Sequence, residues 1–79
     1  MSADFDVDLD VRGMSCPLPI LKTKKQLAVM AAGQRLRVRA TDPHSPIDFT
    51  AFCEKSGNPM LRHERIDAEF HFVVAKKEA

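Results

Sequence analysis

A chain of 79 residues has room for one domain and one hydrophobic core, and it is too short to enclose a large cofactor. Its 12 basic and 11 acidic residues leave a formal net charge of +1, which argues against nucleic-acid binding driven by overall charge. The sequence contains neither a secretory signal nor a segment able to span a bilayer. We therefore expect a single cytoplasmic domain over residues 1–79, without membrane association.

The first predicted element is a strand over Phe5–Val11, where apolar and acidic residues alternate. The apolar members would face the core, namely Phe5, Val7, Leu9 and Val11. The acidic members would face water, namely Asp4, Asp6, Asp8 and Asp10. Gly13 follows this strand, and its missing Cβ allows a turn or a close backbone approach.

Cys16 and two prolines mark the start of a predicted helix. With Cys16 as the N-cap, Pro17 falls on the first helical position and Pro19 on the third, where a missing N–H costs no intrahelical hydrogen bond. A thiol at the N-cap would lie at the positive end of the helix dipole. That setting lowers the pKa of a cysteine and favours the nucleophilic thiolate.

Helical spacing continues to Gly33, a residue suited to the left-handed conformation that ends many helices. The apolar stripe of this helix would consist of Ile20, Leu21, Leu27, Ala28 and Ala31. Lys24 lies two turns after Cys16, at the edge of that stripe. Its aliphatic chain could merely cover apolar surface, or its ammonium group could serve the thiol; the sequence leaves both interpretations open.

A second alternating strand, Arg35–Ala40, directs its small and aliphatic residues inward and three arginines outward. A strand–helix–strand unit usually leaves its two strands as parallel neighbours. The arginines would then share an exposed face with the aspartates of the first strand and pair with them. Two strands with one polar face each indicate a sheet that helices cover on one side only.

A loop over Thr41–Asp48 leads into a second predicted helix. Ser45 is the predicted N-cap, Pro46 the first helical residue and Asp48 the third, where a carboxylate favours the helix dipole. Gly57–Pro59 would end this helix. Its apolar side would consist of Ile47, Phe49, Phe52 and Cys53.

Two strands complete the chain. Met60–Arg65 is a mixed pattern suited to a sheet edge, and Ile66–Ala68 is a short hairpin connection. Glu69–Ala75 is a more apolar strand with Phe70, Phe72 and Val74 directed inward. The order strand, helix, strand, helix, strand, strand predicts a two-layer α/β sandwich.

The remaining nucleophiles and potential metal ligands are Cys53 and three histidines. Cys53 has aromatic neighbours at helical spacing, so we interpret it as a small buried hydrophobe, with a role as a partner thiol left open. His44, His63 and His71 are scattered in sequence and lie near no cysteine, so we expect neither a metal site nor a cofactor. His44 alone could approach the Cys16 end of the sheet.

The segment Leu9–Pro19 resembles the CPxP signature of the TusA (SirA/YhhP-like) sulfur-carrier family. The resemblance continues in order along the chain through Lys24-Lys25, Gly33-Gln34, Thr41-Asp42-Pro43, Asp48 and Phe52-Cys53. It implies a βαβαββ fold similar to the C-terminal domain of translation initiation factor three. It also implies a four-stranded mixed sheet of order 1-2-4-3, with the fourth strand antiparallel and two helices on one face.

The family resemblance further implies that Cys16 accepts sulfane sulfur as a persulfide from a cysteine desulfurase or a rhodanese. Acceptors in the family differ and include tRNA thiolation relays, molybdenum-cofactor pathways and sulfur oxidation. A carrier needs an accessible thiol without a resolving cysteine beside it, and the sequence has no CxxC pair.

The leading hypothesis is therefore a monomeric sulfur carrier, a sulfurtransferase that relays a persulfide as a carrier rather than as a turnover enzyme. Cys16 would carry the sulfur, Gly13, Pro17 and Pro19 would support the motif, and Lys24 and Lys25 would assist docking or persulfide stabilisation. One alternative is a non-catalytic RNA-binding or regulatory module on the same fold, although we do not expect direct nucleic-acid contact. Another is a redox protein that pairs Cys16 with Cys53.

Overall fold

The computed structural model describes residues 5–78, so Asp4 lies outside the described part of the chain. Six elements follow one another along it: β1 Val7–Asp10, α1 Leu18–Ala28, β2 Arg35–Ala40, α2 Ser45–Ser56, β3 Met60–Ile66 and β4 Glu69–Ala75. Within residues 5–78 neither helix is long and apolar enough to cross a bilayer.

The strands form one four-stranded sheet of order β1-β2-β4-β3, which confirms the predicted fold class and topology. β1 and β2 are parallel, and β4 is antiparallel to both β2 and β3. Since β1 and β2 run in the same direction and each is followed by a helix, both helices begin at the same end of the sheet. That end carries Cys16.

The core lies between the sheet and the two helices and is centred on an aromatic pair. The rings of Phe49 on α2 and Phe72 on β4 are stacked with centroids 4.6 Å apart, and both side chains are fully buried. Alternate residues of β2, Leu36, Val38 and Ala40, complete the inner face with no exposed surface. The predicted inward alternation of β2 is thus confirmed. On β4, Phe72 and Val74 are buried as predicted and Phe70 is partly buried, but Val73 and Ala75 are buried too, so this strand does not alternate.

The opposite face of the sheet carries the predicted ion pairs between β1 and β2. Asp8 accepts hydrogen bonds from Arg37, with Nε to Oδ1 at 3.0 Å, and from Arg39, with Nη2 to Oδ2 at 3.2 Å. The prediction that Phe5 faces the core is wrong, because its ring lies on this outer face, 4.3 Å below the guanidinium carbon of Arg37. A cation–π contact replaces core burial at this position.

Replacing Asp8 by asparagine should lower the free energy of unfolding by about 0.5–1 kcal/mol at neutral pH, since exposed ion pairs contribute little each. The hydrogen bond from Arg37 lowers the pKa of Asp8 below its ordinary value. A carboxyl group whose pKa is lower in the folded state stabilises that state at any pH above its pKa in the unfolded chain. This stabilisation is lost as the pH falls through its pKa in the folded state. Urea titrations should therefore show the Asp8→Asn difference shrinking below about pH 4.

The exposed Glu54 provides the control for this prediction, since it lies on α2 away from the β1–β2 ion pairs. Glu54→Gln should leave the unfolding curve nearly unchanged across the same pH range. An Asp8→Asn difference that persisted undiminished in acid would show that the carboxylate charge is not what stabilises the strand pair.

Both helices bury a narrower row of side chains than predicted. α1 buries Pro19, Thr23 and Leu27, spaced four residues apart, whereas the predicted stripe residue Leu21 is 52% exposed. Ala28 and Ala31 are also exposed, and Ile47 of α2 is 72% exposed. Each helix covers the small sheet with one row of residues, so the flanking apolar positions remain at the surface.

α1 also ends earlier than predicted, at Ala28 rather than beside Gly33. Gly33 does adopt a left-handed conformation, with φ of +85°, but it does so in the turn that enters β2. Its N–H donates to the carbonyl oxygen of Lys76 at 2.8 Å. Gly33 thus connects the turn before β2 to the segment after β4, and it does not end α1.

α2 begins at Ser45 with His44 as its N-cap, so the predicted capping role of Ser45 is wrong. Asp42 already accepts the N–H of His44 on its carboxylate at 3.0 Å and the N–H of Ser45 on its carbonyl at 2.9 Å. The Ser45 hydroxyl is consequently not needed as a cap. It is buried and has no hydrogen-bond partner within residues 5–78.

Two lysines after β4 donate hydrogen bonds to backbone carbonyl oxygens at the carboxyl ends of the two helices. Lys76 Nζ donates to the carbonyl oxygen of Leu27 at 2.7 Å, and Lys77 Nζ donates to that of Ser56 at 2.8 Å. Cations at this position complement the negative end of a helix dipole. Both carboxyl ends are thus closed at the side of the sheet away from Cys16.

Candidate functional site

Cys16 lies in the turn between β1 and α1, and its side chain is exposed. α1 begins at Leu18 with Pro17 as the N-cap, so Cys16 stands one position earlier than predicted and Pro19 is the second helical residue. No side chain caps the helix; instead the Leu18 N–H donates to the carbonyl oxygen of Ser15 at 2.9 Å. Cys16 is therefore beside the helix end and exposed.

The turn that carries Cys16 is fastened to the loop after β2 by two hydrogen bonds. The Gly13 N–H donates to Thr41 Oγ1 at 2.9 Å, and the Cys16 N–H donates to Asp42 Oδ2 at 2.6 Å. The N–H groups of His44 and Cys16 lower the pKa of Asp42 below its ordinary value. Asp42 therefore stays ionised and fixes the backbone of Cys16 relative to the start of α2.

The thiol of Cys16 meets a second carboxylate, that of Asp48 in the first turn of α2. A hydrogen bond to Asp48 is the main cause that raises the pKa of Cys16 above its ordinary value, followed by loss of hydration and by the charges of Asp48 and Asp42. The sequence-based prediction of a lowered pKa is therefore wrong. Two nearby carboxylates outweigh the dipole of a helix whose N-cap is one residue further along.

A groove of about 490 Å³ extends from Cys16 between the two helices. Its floor is largely apolar, and its rims carry Lys24 from α1 and Lys55 from α2. The residues that line it are Cys16, Pro17, Ile20, Lys24, Asp48, Ala51, Phe52, Lys55 and Ser56. Lys25 lies on another side of α1, beside a depression between that helix and Leu9.

The other sequence-predicted residues fall into three groups. Gly13 adopts a φ of +80° in the turn before Cys16, and Pro19 is a buried residue of α1. His44 comes close to Cys16 through its backbone, but its side chain does not line the groove. Cys53 is buried, as predicted, and burial raises its pKa to about 11.

Three comparisons with known proteins show what this chain is similar to. The profile of the family described as "Sulfurtransferase TusA" matches residues 7–76 of this chain. The chain belongs to the TusA family. A sulfur carrier protein TusA from Allochromatium vinosum is 49% identical over 74 residues, which cover 94% of this chain and 97% of that protein.

Two further proteins extend the TusA comparison. A putative sulfur carrier protein from Neisseria meningitidis serogroup A is 49% identical over 69 residues, covering 87% of this chain and 93% of that protein. The crystal structure of a SirA-like protein from Desulfitobacterium hafniense has a TM-score of 0.78, covering 92% of this chain and 100% of that one. At 23% identity this last likeness shows a common fold. The predicted family and its sulfur-carrier role are thus confirmed.

Sequence analysis of this TusA-family chain missed two residues of the groove. It assigned Asp48 to helix capping and gave Lys55 no role. Together with Ala51 and Phe52 they occupy positions i, i+3, i+4 and i+7 of α2, which share one helix face. That spacing is visible in the sequence, but only the fold shows that this face borders Cys16. Within residues 5–78, no three potential metal-ligating side chains lie together.

Proposed function

We propose that this TusA-family chain carries sulfane sulfur as a persulfide on Cys16, in the cytoplasm, between a protein donor and a protein acceptor. The observation that carries the proposal is an exposed thiol at the mouth of an open groove, on a backbone held by Asp42. A cysteine desulfurase or a rhodanese-type protein is the donor, and the acceptor belongs to tRNA thiolation, molybdenum-cofactor synthesis or sulfur metabolism.

The loading step conserves atoms and electrons between two thiols. The sulfur of Cys16 attacks the terminal sulfur of the donor persulfide, the donor S–S bond breaks, and a new S–S bond forms on Cys16. The donor leaves as a thiolate and takes up the proton that Cys16 loses. Delivery to the acceptor repeats this exchange with Cys16 as the leaving group, so no external oxidant or reductant takes part.

The second cysteine of the chain supports a carrier over a redox protein. Both thiols are free, and Cys53 is buried in α2 with a pKa raised to about 11. A protonated, buried thiol cannot readily attack a persulfide on Cys16 and expel its sulfur as a disulfide. The sulfur on Cys16 would therefore persist until an external acceptor arrives.

Intact-protein mass spectrometry tests the proposal directly. After incubation with a cysteine desulfurase and free cysteine, the protein should gain the mass of one sulfur atom, which dithiothreitol removes. Peptide mapping after alkylation should assign the added sulfur to Cys16. Failure to load from every persulfide donor tried, or sulfur mapped to Cys53, would contradict the proposal.

Lys24 and Lys25 offer a matched pair for testing the groove in partner docking. Lys24→Gln should slow loading by the desulfurase several-fold, because Lys24 borders the groove where the donor must approach. Lys25→Gln removes the same charge from the same helix outside the groove and should load at the wild-type rate. Loading kinetics at low and moderate salt would separate the two, and equal effects would rule out a groove-specific role.

The alternative of an RNA-binding module depends on free cationic residues on the sheet. Arg37 and Arg39 are instead hydrogen-bonded to Asp8, and Arg12 is paired with Asp10 and Glu69. These pairs reduce the positive potential available to a phosphate backbone. Salt-dependent RNA binding that is unaffected by Cys16→Ser would favour the alternative over the carrier.

A further inference from the structure

The groove beside Cys16 changes in character along its length. Because α1 and α2 begin at the same end of the sheet, the residues that line the groove can be ordered by the helix rise of about 1.5 Å per residue. Cys16 and Asp48 lie at the first end, and apolar side chains of both helices follow. Lys24 then lies about 9 Å, and Lys55 about 15 Å, beyond the first residue of its helix. The groove therefore has a thiol at one end, an apolar middle and a positive far end.

Lys24 and Lys55 are both available to an occupant of the groove. Both residues are exposed, and within residues 5–78 neither forms a hydrogen bond or an ion pair through its ammonium group. Lys55 lies in the last turn of α2, where a cation favours the helix dipole. The carbonyl oxygen of Ser56 at that helix end, however, already accepts a hydrogen bond from Lys77. Both ammonium groups can therefore meet an anionic group that enters the groove.

The charges at the thiol end of the groove have the opposite sign. Asp48 lines this end together with Cys16, and Asp42 accepts the N–H of Cys16 at 2.6 Å. An anionic group next to the sulfur of an incoming partner is repelled by these carboxylates. The same group further along the groove is attracted by Lys24 and Lys55. The groove thus distinguishes occupants by where they carry negative charge relative to their sulfur.

We propose that the groove binds the sulfur-bearing segment of a partner protein in an extended conformation, with an acidic side chain three or four residues from the partner's reactive cysteine. An extended chain advances about 3.3 Å per residue, so this separation spans about 10–13 Å and reaches from Cys16 to the two lysines. Side chains between the cysteine and the acidic residue contact Ile20 and Phe52 in the apolar middle. The inference rests on the persulfide function proposed above and adds the kind of segment with which Cys16 exchanges sulfur.

The shape and charge of the groove favour an extended segment over other occupants. Packed helices lie about 8–10 Å apart, too close for a third helix, about 10–12 Å across, to sink between them. A small anion such as thiosulfate carries its negative charge directly beside its sulfane sulfur, at the end of the groove where Asp48 lies. A strip of a few residues, in contrast, fits a groove of about 490 Å³ and separates its sulfur from its charge.

Thiol–disulfide exchange with synthetic peptides tests this inference without any sulfur donor. Each peptide has one cysteine activated as a thiopyridyl disulfide. The sulfur of Cys16 attacks the peptide sulfur and a new S–S bond forms, while 2-thiopyridone leaves with the thiol proton and is measured by its absorbance. Cys16→Ser gives the background rate.

The peptides differ in the position of one aspartate, and each has a matched asparagine form. The aspartate lies one, three or four residues from the cysteine, on its amino or its carboxyl side. In the chain direction that the groove accepts, aspartate at three or four residues should accelerate exchange about two- to fivefold at low salt, as expected for a partly exposed ion pair. Aspartate next to the cysteine should slow it. About 0.5 M sodium chloride should remove most of both effects.

Lysine variants assign the preference to the groove. Lys24→Gln and Lys55→Gln should each reduce the advantage of the aspartate peptides, and the double variant should abolish it. Lys25→Gln removes a charge from α1 outside the groove and should retain the full advantage. The uncharged disulfide 2,2′-dithiodipyridine should react with Cys16 at nearly the same rate in every lysine variant, because the lysines act on the occupant.

Three results would overturn the inference: equal rates for the aspartate and asparagine peptides, a preference for aspartate next to the cysteine, or an advantage that Lys25→Gln reduces as much as Lys24→Gln does. Peptide exchange needs only the thiol of Cys16. Its failure is therefore distinguishable from a failure of sulfur loading, which mass spectrometry measures separately.

Discussion

Replacing Cys16 by serine is expected to abolish sulfur loading, so that no mass of one added sulfur atom appears at any donor concentration. A serine hydroxyl forms no persulfide, and it is far too weakly acidic to attack donor sulfur at neutral pH. The fold should survive the change because the side chain is exposed and the contact to Asp42 uses the backbone N–H of residue 16. Mass spectrometry would give the loading and circular dichroism would give the fold.

Cys53→Ser is the matched control for the Cys16 variant. It should load fully whenever it is folded, because Cys53 is buried in α2 and does not line the groove. Its free energy of unfolding should fall, since a hydroxyl replaces a thiol in an apolar environment. Loading that survived Cys16→Ser and disappeared with Cys53→Ser would reverse the assignment of the carrier residue.

Replacing Phe49 by alanine is expected to cost about 3–5 kcal/mol of unfolding free energy, a large share of the total that a small domain possesses. Phe49 is fully buried and stacks on Phe72, so its loss leaves a cavity between α2 and the centre of the sheet. For a domain of this size the midpoint of thermal unfolding should fall by at least about 12 °C. Calorimetry and urea titration would measure the change.

Phe52→Ala provides the comparison within the same helix. Phe52 is half-buried at the groove and packs only partly against the core, so its truncation should cost about 1 kcal/mol. If the two variants were equally destabilised, the stacked pair would not be the centre of the core. A folded Phe49→Ala protein should still load Cys16, because Phe49 does not line the groove.

The sheet could be predicted from the sequence because its strands show their burial in their pattern. Alternation in Arg35–Ala40 gave the correct inner face, and the parallel pairing of β1 and β2 follows from the helix between them. The ion pairs of Asp8 with the arginines of β2 were predicted for the same reason. Phe5 departs from the pattern because it precedes β1 and contacts Arg37 on the outer face.

The helices were less predictable because their buried rows depend on how they lie on the sheet. Leu21 and Ile47 are apolar residues at suitable spacing, yet each lies on a flank that nothing within residues 5–78 covers. The terminus of α1 at Ala28 likewise depends on the turn that Gly33 makes with Lys76. Periodicity identifies a helix but does not fix its rotation about its own axis.

The position of Cys16 could be predicted, whereas its electrostatic surroundings could not. The CPxP segment placed an exposed cysteine at the start of α1, although one residue earlier than expected. Asp48, which has the largest effect on the pKa of the thiol, comes from a distant part of the sequence. Only the packing of α2 brings it near Cys16. The sequence indicated only the dipole of α1, and the predicted direction of the pKa shift of Cys16 was therefore wrong.

The position of β4 in the sheet limits how far this chain can fold while it is being synthesised. β4 is the last strand, yet it lies between β2 and β3, which do not pair with each other. Until it emerges from the ribosome, β3 has no neighbour and Phe49 of α2 has no ring to stack on. A chain interrupted before Glu69 would expose open strand edges, which favour aggregation. The stacking of Phe49 on Phe72, and with it the centre of the core, can therefore form only after the final strand has been synthesised.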